Sequence, residues 1–239
     1  MDTFQKQRPG LVLYRGFPVS TSYVWSPFVT KLEARLRFAR LKYRLDQGSM
    51  SKAPRGKVPY LEFAPEGQEG PLALGDSSLI IQHLVDNDIC EDLNKSLSPA
   101  AKAHDMAVRT LFEEKLYFYQ GMERWHDNYE TMRSGVMGTG RFTSAEVASF
   151  RHDIWENANA LLAEARLTVP GPNAPFWILG GSEPSEADAT VFGFIASGLV
   201  CNAAPDTQSV IRSYPVLVDY AKRIHEHYFS EYKLWDDEI

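Results

Sequence analysis

Two dipeptides, Val58-Pro59 and Asp76-Ser77, carry residue types that can hold a peptide ending in a free α-amino acid group. Val58-Pro59 opens an apolar run, and a proline inside a strand removes a ladder hydrogen bond, so its presence needs a reason. A trans proline at the start of an edge strand is one. The other is a cis peptide that leaves the Val58 backbone groups to a thiol-bearing peptide ligand. Asp76-Ser77 stands just before an apolar helical pattern, and either residue can cap that helix by accepting its free N–H groups. A helix N-terminus also favours a bound carboxylate, while an aspartate pairs with an ammonium, so the same two residues can grip both charges of an amino-acid end.

A third position supplies the reactive end. Trp25-Ser26-Pro27-Phe28 places the Ser26 hydroxyl at the start of the first helical pattern, where it either caps the helix or stabilises a bound thiolate. Lowering a thiol pKa from about 8.5 to about 6.5 takes roughly 2.7 kcal/mol. One charge-assisted hydrogen bond, about 1.5 to 3 kcal/mol, together with about 0.3 to 1 from the helix terminus is sufficient. Tyr14, near the end of the first strand, is the other hydroxyl with that reach, although strand tyrosines are commonly just packed. Lys52, Arg55 and Lys57 form a basic cluster before Val58, either a solvated loop or a contact for the far carboxylate of the peptide.

The elements that must position these residues follow from apolar periodicity. Leu11 to Phe17, Lys42 to Asp46, Val58 to Phe63 and Pro71 to Leu74 read as strands, and Ser26 to Arg40 and Ser78 to Val85 as helices. The order is β-α-β followed by β-β-α. In the first helix Phe28, Leu32, Leu36 and Ala39 share a face, with Lys31, Glu33, Arg35, Arg37 and Arg40 largely off it, which predicts a solvated charged side. From Ser98 onward strand signals nearly vanish. Long helical patterns take over, punctuated by Gly/Pro-rich stretches at 135–143 and 169–184. The expected fold is therefore α/β plus all-α: residues 1–90 around a four-stranded mixed sheet, a polar linker at 91–97, and an all-helical part over 98–239.

Composition narrows the class. With 239 residues and 44% hydrophobic content the chain can bury a sizeable core, and a net charge of -6 without a Lys/Arg stripe speaks against nucleic acid. No apolar run reaches the roughly 18 residues of a membrane span, the start lacks a secretion-type apolar core, and the expected compartment is the cytoplasm. The longest apolar stretch, Val191 to Ala204, reads as a buried helix. Cys90 and Cys201 are far apart, with no zinc-like or dithiol spacing, and His225 and His227 sit two apart on a helix, so no metal site is expected.

These residues resemble the cytosolic glutathione transferase superfamily, whose glutathione-site signatures Val58-Pro59 and Asp76-Ser77 match, and the resemblance spans nearly the whole chain. Ser26-Pro27-Phe28 looks like the Cys-Pro-Phe of omega-type members with serine in place of cysteine, so thiol transfer through a mixed disulfide is not expected. Gly181 to Asp188 is similar to the superfamily's buried N-capping box, with Ser185 and Asp188 in S-x-x-D spacing. Ser26-Pro27-Phe28 with Lys31-Leu32-Glu33, Gly56 to Tyr60 and the terminal Trp235 to Glu238 resemble the failed-axon-connections and metaxin-like branch, which includes members with weak or unshown activity. Two departures stand out: a lengthened loop from Pro18 to Trp25, and little or no second helix over 48–57.

The resemblance implies a thioredoxin-like N-terminal domain and glutathione as the bound thiol, held by Lys52, Lys57, Val58, Pro59, Asp76 and Ser77. Its thiolate would be activated by Ser26 or Tyr14. The electrophile, an apolar or aromatic small molecule, would lie between the domains, with Tyr23, Trp25, Tyr117 and Trp125 as first candidates for its walls and Phe118 and Tyr129 nearby. Isomerase or lyase chemistry with the same thiol is a variant of that reading. The rival is a ligand carrier or interaction protein that kept the fold without turnover. A homodimer is the family's expectation.

Overall fold

Alternation builds the sheet. In β1 (Leu11–Tyr14) the side chains of Leu11 and Leu13 are buried and those of Val12 and Tyr14 half-buried, as a strand with one face on a core requires. The computed structural model describes residues 10–65, 70–124, 139–169, 171 and 173–235. β2 (Tyr43–Asp46) runs parallel to β1, while β3 (Tyr60–Phe63) runs antiparallel to β1 and to β4 (Leu72–Gly75), giving the order β2-β1-β3-β4. Leu11, Leu13, Leu61 and Phe63 pack against Leu32 and Leu36 of α1 (Pro27–Phe38) and Ile80, Ile81 and Leu84 of α2 (Ser77–Asp86). Both helices therefore lie on one face. The other face carries Tyr14 stacked on Tyr60, with ring centroids 4.3 Å apart, and is covered by the turns of 48–57. Gly48 lies so close that a Cβ there would meet the Tyr60 hydroxyl at 2.5 Å. No helix forms in that segment.

The helical domain follows as α3 (Pro99–Leu111), a π-turn at Phe112–Leu116, α4 (Tyr117–Arg124), α5 (Ser144–Leu167), α6 (Glu186–Val200), α7 (Pro205–Ser213) and α8 (Pro215–Tyr228). α6, the apolar stretch of the sequence, is buried along its whole length. Its start is fixed by Asp188, which accepts the Ser185 N–H and O–H (both 2.8 Å), the Ile178 N–H (2.7 Å) and the Tyr220 hydroxyl (2.9 Å). Burial pushes this carboxyl up to about 6 against those four donors. Among the described residues no single helix is long and apolar enough to cross a membrane.

α1 is where the solvated-face expectation fails. The sheet core takes one side of α1 and α6 the other, so Lys31, Glu33 and Arg35 are each about 1% exposed, while Arg40 alone of the five stays exposed. Every buried charge finds a partner distant in sequence. Lys31 Nζ donates to Glu113 (2.7 Å) and Ser78 Oγ (2.8 Å), and Arg35 Nε to Glu186 (2.6 Å). Glu33 accepts from the hydroxyls of Tyr232 (2.6 Å) and Tyr43 (3.2 Å) and lies 3.9 Å from Arg15. Burial raises the pKa of Glu33, and Arg15 and Tyr232 oppose the rise. Periodicity cannot report such pairs, because it sees only one helix at a time.

The α1–α6 contact is close enough to involve backbone. A Cβ on Gly193 would meet the Pro27 carbonyl oxygen at 2.7 Å and the Lys31 nitrogen at 2.8 Å, and one turn along Thr30 and Ser197 share a hydroxyl–hydroxyl bond of 3.0 Å. Gly193→Ala is therefore expected to destabilise the fold by about 1–3 kcal/mol through overpacking, outweighing the roughly 1 kcal/mol that alanine gains over glycine in a helix. Urea unfolding reads this as a lowered midpoint at unchanged slope.

Candidate functional site

The register of the sheet gathers the candidate residues at one end. Tyr60 pairs with Gly75 and Tyr14 with Tyr60, so continuing the antiparallel ladders sets Pro59 opposite Asp76 and Gly16 opposite Val58. Contact confirms the second pairing, since a Cβ on Gly16 would meet Val58 Cγ1 at 2.8 Å. The Val58-Pro59 peptide is cis. The chain leaves β1 beside Val58, and α1 turns back over the sheet, so its N-terminus with Ser26 begins at this same end.

Asp76 adopts φ 78, rare for a residue with a side chain, and its Oδ1 accepts the N–H groups of Ser78 (3.0 Å) and Leu79 (3.2 Å). It is thus the cap of α2. Its Oδ2 has no partner among the described residues, and the residue is exposed, so capping leaves the carboxylate able to meet a ligand ammonium. Ser77 is 4% exposed in the first helical position. Lys52 and Lys57 are exposed on the turns before Val58, whereas Arg55, from the same basic cluster, lays its stem against Gly75 with Cγ 3.3 Å from a Cβ built there.

Ser26 occupies the N-cap position of α1 in extended conformation, followed by Pro27, yet its side chain makes no capping bond. The hydroxyl is left uncommitted at a helix N-terminus, where negative charge is favoured. The loop before it is held at four carbonyls. Arg15 Nη1 and Nη2 donate to Ser20 O (2.8 Å) and Ser22 O (2.6 Å), the Lys233 N–H to Thr21 O (2.8 Å), and Arg124 Nη1 to Trp25 O (2.9 Å). Sequence reasoning passed over Arg15, Arg124 and Lys233, because each acts on backbone carbonyls, Arg124 and Lys233 from far away in the sequence, which no local pattern reports.

Two expected site residues are placed elsewhere. Tyr14 points away from α1, and its hydroxyl donates to Glu62 Oε2 at 2.7 Å; that bond, with burial, pushes its pKa up to about 12 and directs the hydroxyl away from the α1 start. Tyr23 is core rather than a substrate wall. It is 7% exposed, bonds His225 Nδ1 through its hydroxyl at 2.9 Å, and packs among Phe192, Phe229, Tyr232 and Trp235. Trp25, 44% exposed, and Tyr117, whose ring lies 4.9 Å from Phe28, stay beside the α1 start, and Phe118 is 39% exposed. Trp125 and Tyr129 lie outside the described residues, as do Asp236 to Glu238.

An open cleft of about 400 Å³ lies between α2 and α3, lined by Ser78, Ile81, Val85, Met106 and Arg109 with Lys31. Ser26 and Val58 do not line it. The chemistry at the sheet end is the better guide to a site, since hydroxyl, carboxylate and a helix terminus converge there.

A mixed four-stranded thioredoxin-like sheet followed by a helical domain, with a cis-proline and a capped Asp-Ser at one sheet end, defines a glutathione-transferase architecture. The chain belongs to the glutathione S-transferase superfamily: residues 27–132 match the family's N-terminal domain and residues 175–224 its C-terminal domain. Solved structures share the fold at low identity. A glutathione transferase family member from Pseudomonas fluorescens with two glutathione bound aligns at TM-score 0.62 and 15% identity, covering 92% of this chain and 90% of that one. Glutathione transferase Omega 1C from Trametes versicolor aligns at 0.58 and 16%, covering 96% and 93%. A Burkholderia graminis glutathione transferase with two glutathione molecules per subunit aligns at 0.55 and 17%, covering 89% and 82%.

Because the Tyr14 hydroxyl is spent on Glu62, Tyr14→Phe is expected to cost about 1 kcal/mol of stability. It should leave the pKa of any thiol bound at the α1 start unchanged, as read by thiolate absorbance against pH.

Proposed function

We propose that this protein is a glutathione transferase in which the cis Val58-Pro59 segment and Asp76-Ser77 hold glutathione, and Ser26 stabilises its thiolate for attack on an apolar or aromatic electrophile. The observation that carries the reading is the Ser26 hydroxyl, which stands at the N-terminus of α1 without a capping bond. That is the arrangement that favours an anion at low cost. The unused Oδ2 of Asp76 suits the ligand's ammonium, and the start of α2 its carboxylate. Lys52 and Lys57 are the cations available to the far carboxylate. Neighbours of the same fold crystallised with glutathione support the ligand.

Within the superfamily, the Ser26 to Glu33 and Gly56 to Tyr60 motifs favour the failed-axon-connections and metaxin-like branch. We also infer a cytoplasmic homodimer. α2 and α3 expose Leu79 and Met106 at 49% and 58%, apolar side chains that a second copy would cover. Sedimentation at micromolar concentration checks the dimer.

Two substitutions separate binding from activation. Asp76→Asn keeps an acceptor for the α2 cap and removes the charge, so glutathione affinity should fall about tenfold or more, the worth of one charge-assisted bond, with little change in stability. Ser26→Ala should leave affinity within about threefold but raise the pKa of the bound thiol by at least about one unit, equivalent to about 1.4 kcal/mol. Calorimetry and thiolate absorbance measure the two. Unchanged affinity in Asp76→Asn would overturn the binding assignment. Binding of glutathione without turnover over a broad electrophile panel would favour a carrier.

A further inference from the structure

Arg124 ends α4 beside the segment that delivers Ser26, with its Nη1 anchored on the carbonyl of Trp25 at 2.9 Å. Its Nε and Nη2 are buried and have no hydrogen-bond partner among the described residues. Those two nitrogens form one edge of the guanidinium, and that edge takes both oxygens of a carboxylate in a side-on fork. A buried donor without an acceptor is costly and calls for an explanation.

A second observation lies one turn back. Gln120 is fully buried, and both atoms of its amide, Oε1 and Nε2, lack a partner among the described residues. Tyr117, Gln120 and Arg124 share one stripe of α4 by helical spacing. Tyr117 meets Phe28 and Arg124 meets Trp25, so this stripe faces the start of α1. Among the described residues no anion fills the vacancy. Glu123, the adjacent carboxylate, already accepts from Arg151 (2.6 Å), the Thr207 hydroxyl (2.6 Å) and the N–H groups of Asp206 and Thr207. Burial pushes the pKa of the nearby Cys201 thiol up. Trp25 and Phe118, 44% and 39% exposed, and the partly buried Phe28 and Tyr117 are the aromatic side chains along this part of α4 and the start of α1.

We propose that the second ligand of this site is an acid: a small molecule with an aromatic or apolar body and a carboxylate that docks on the Nε/Nη2 edge of Arg124, with the Gln120 amide meeting a polar group beside it. The inference rests on the thiolate lying at Ser26 for its catalytic meaning and adds to that reading the charge of the acceptor. Arg124 thereby both fixes the loop before Ser26 and selects the molecule brought to it.

Unreactive probes test the idea without turnover. Calorimetric titration of the glutathione-saturated protein with 4-nitrobenzoate and with methyl 4-nitrobenzoate compares the same ring with and without the charge. A charge-assisted fork predicts an acid-over-ester preference of roughly 10- to 100-fold in the wild type. Arg124→Gln should bring the ratio near one. Arg124→Lys, which keeps a charge and a donor for Trp25 O but no fork, should fall between. A wild-type ratio near one, or an unchanged ratio in Arg124→Gln, overturns the proposal. Glutathione titrated into the same preparations is a separate readout: if it fails to bind, the transferase reading falls, while the acid preference, then measured without glutathione, still stands or fails on its own ratio.

Discussion

The rest of the structure depends on α1 being packed from both sides. The thioredoxin-like sheet and α2 cover one flank, and α6 comes so near the other that only a glycine at 193 clears the Pro27 and Lys31 backbone. That approach fixes the first turn of α1, and with it Ser26, against the most buried helix of the second domain. A site at a helix N-terminus is only as well placed as the helix. Here the helix is held by the two domains at once.

The tight packing forces charges inside. Lys31, Glu33 and Arg35 lose their water and are compensated by Glu113, Tyr232, Arg15 and Glu186, each from another element. Pairs of this kind add little net stability over well-packed apolar residues, but removing one partner leaves a buried charge exposed to the full desolvation cost. Their effect is to specify the docking of the domains. The same logic extends to the segment after α8: Tyr232 reaches Glu33, Lys233 holds Thr21 O, and Trp235 covers Tyr23 and His225. The lengthened loop before Ser26 is therefore secured through four carbonyls by Arg15 just after β1, Arg124 of α4 and the C-terminal segment.

Much of this was legible from sequence. Strand and helix positions follow from apolar spacing to within a few residues, the cis peptide at Val58-Pro59 is one of the two readings open to a proline heading an apolar run, the one that the element order and the following Asp-Ser favour, and the Ser185–Asp188 box follows from its S-x-x-D spacing. What could not be read is what depends on distant partners. The charges of α1 look solvated until α6 is laid on them. Tyr14 looks available until Glu62 is set across the strand, and Tyr23 looks like a pocket wall until the C-terminal segment closes over it. Arg124 and Gln120 carry no motif at all, since their significance lies in atoms left without partners.

The site that results combines a spare hydroxyl, a helix terminus and a capping carboxylate at one end of a sheet, with an arginine fork beside them. In the proposed reading, hydroxyl and helix terminus favour negative charge at the sulfur position, whereas the fork favours it on the second ligand. The most direct test of the account is a crystal structure with glutathione bound. It should show the sulfur within about 3.5 Å of Ser26 Oγ, a hydrogen-bond distance for sulfur slightly longer than that for oxygen, with the ligand backbone along Val58 and its amino-acid end at Asp76-Ser77. Glutathione bound with its sulfur away from Ser26, or seated in the cleft between α2 and α3, would contradict it.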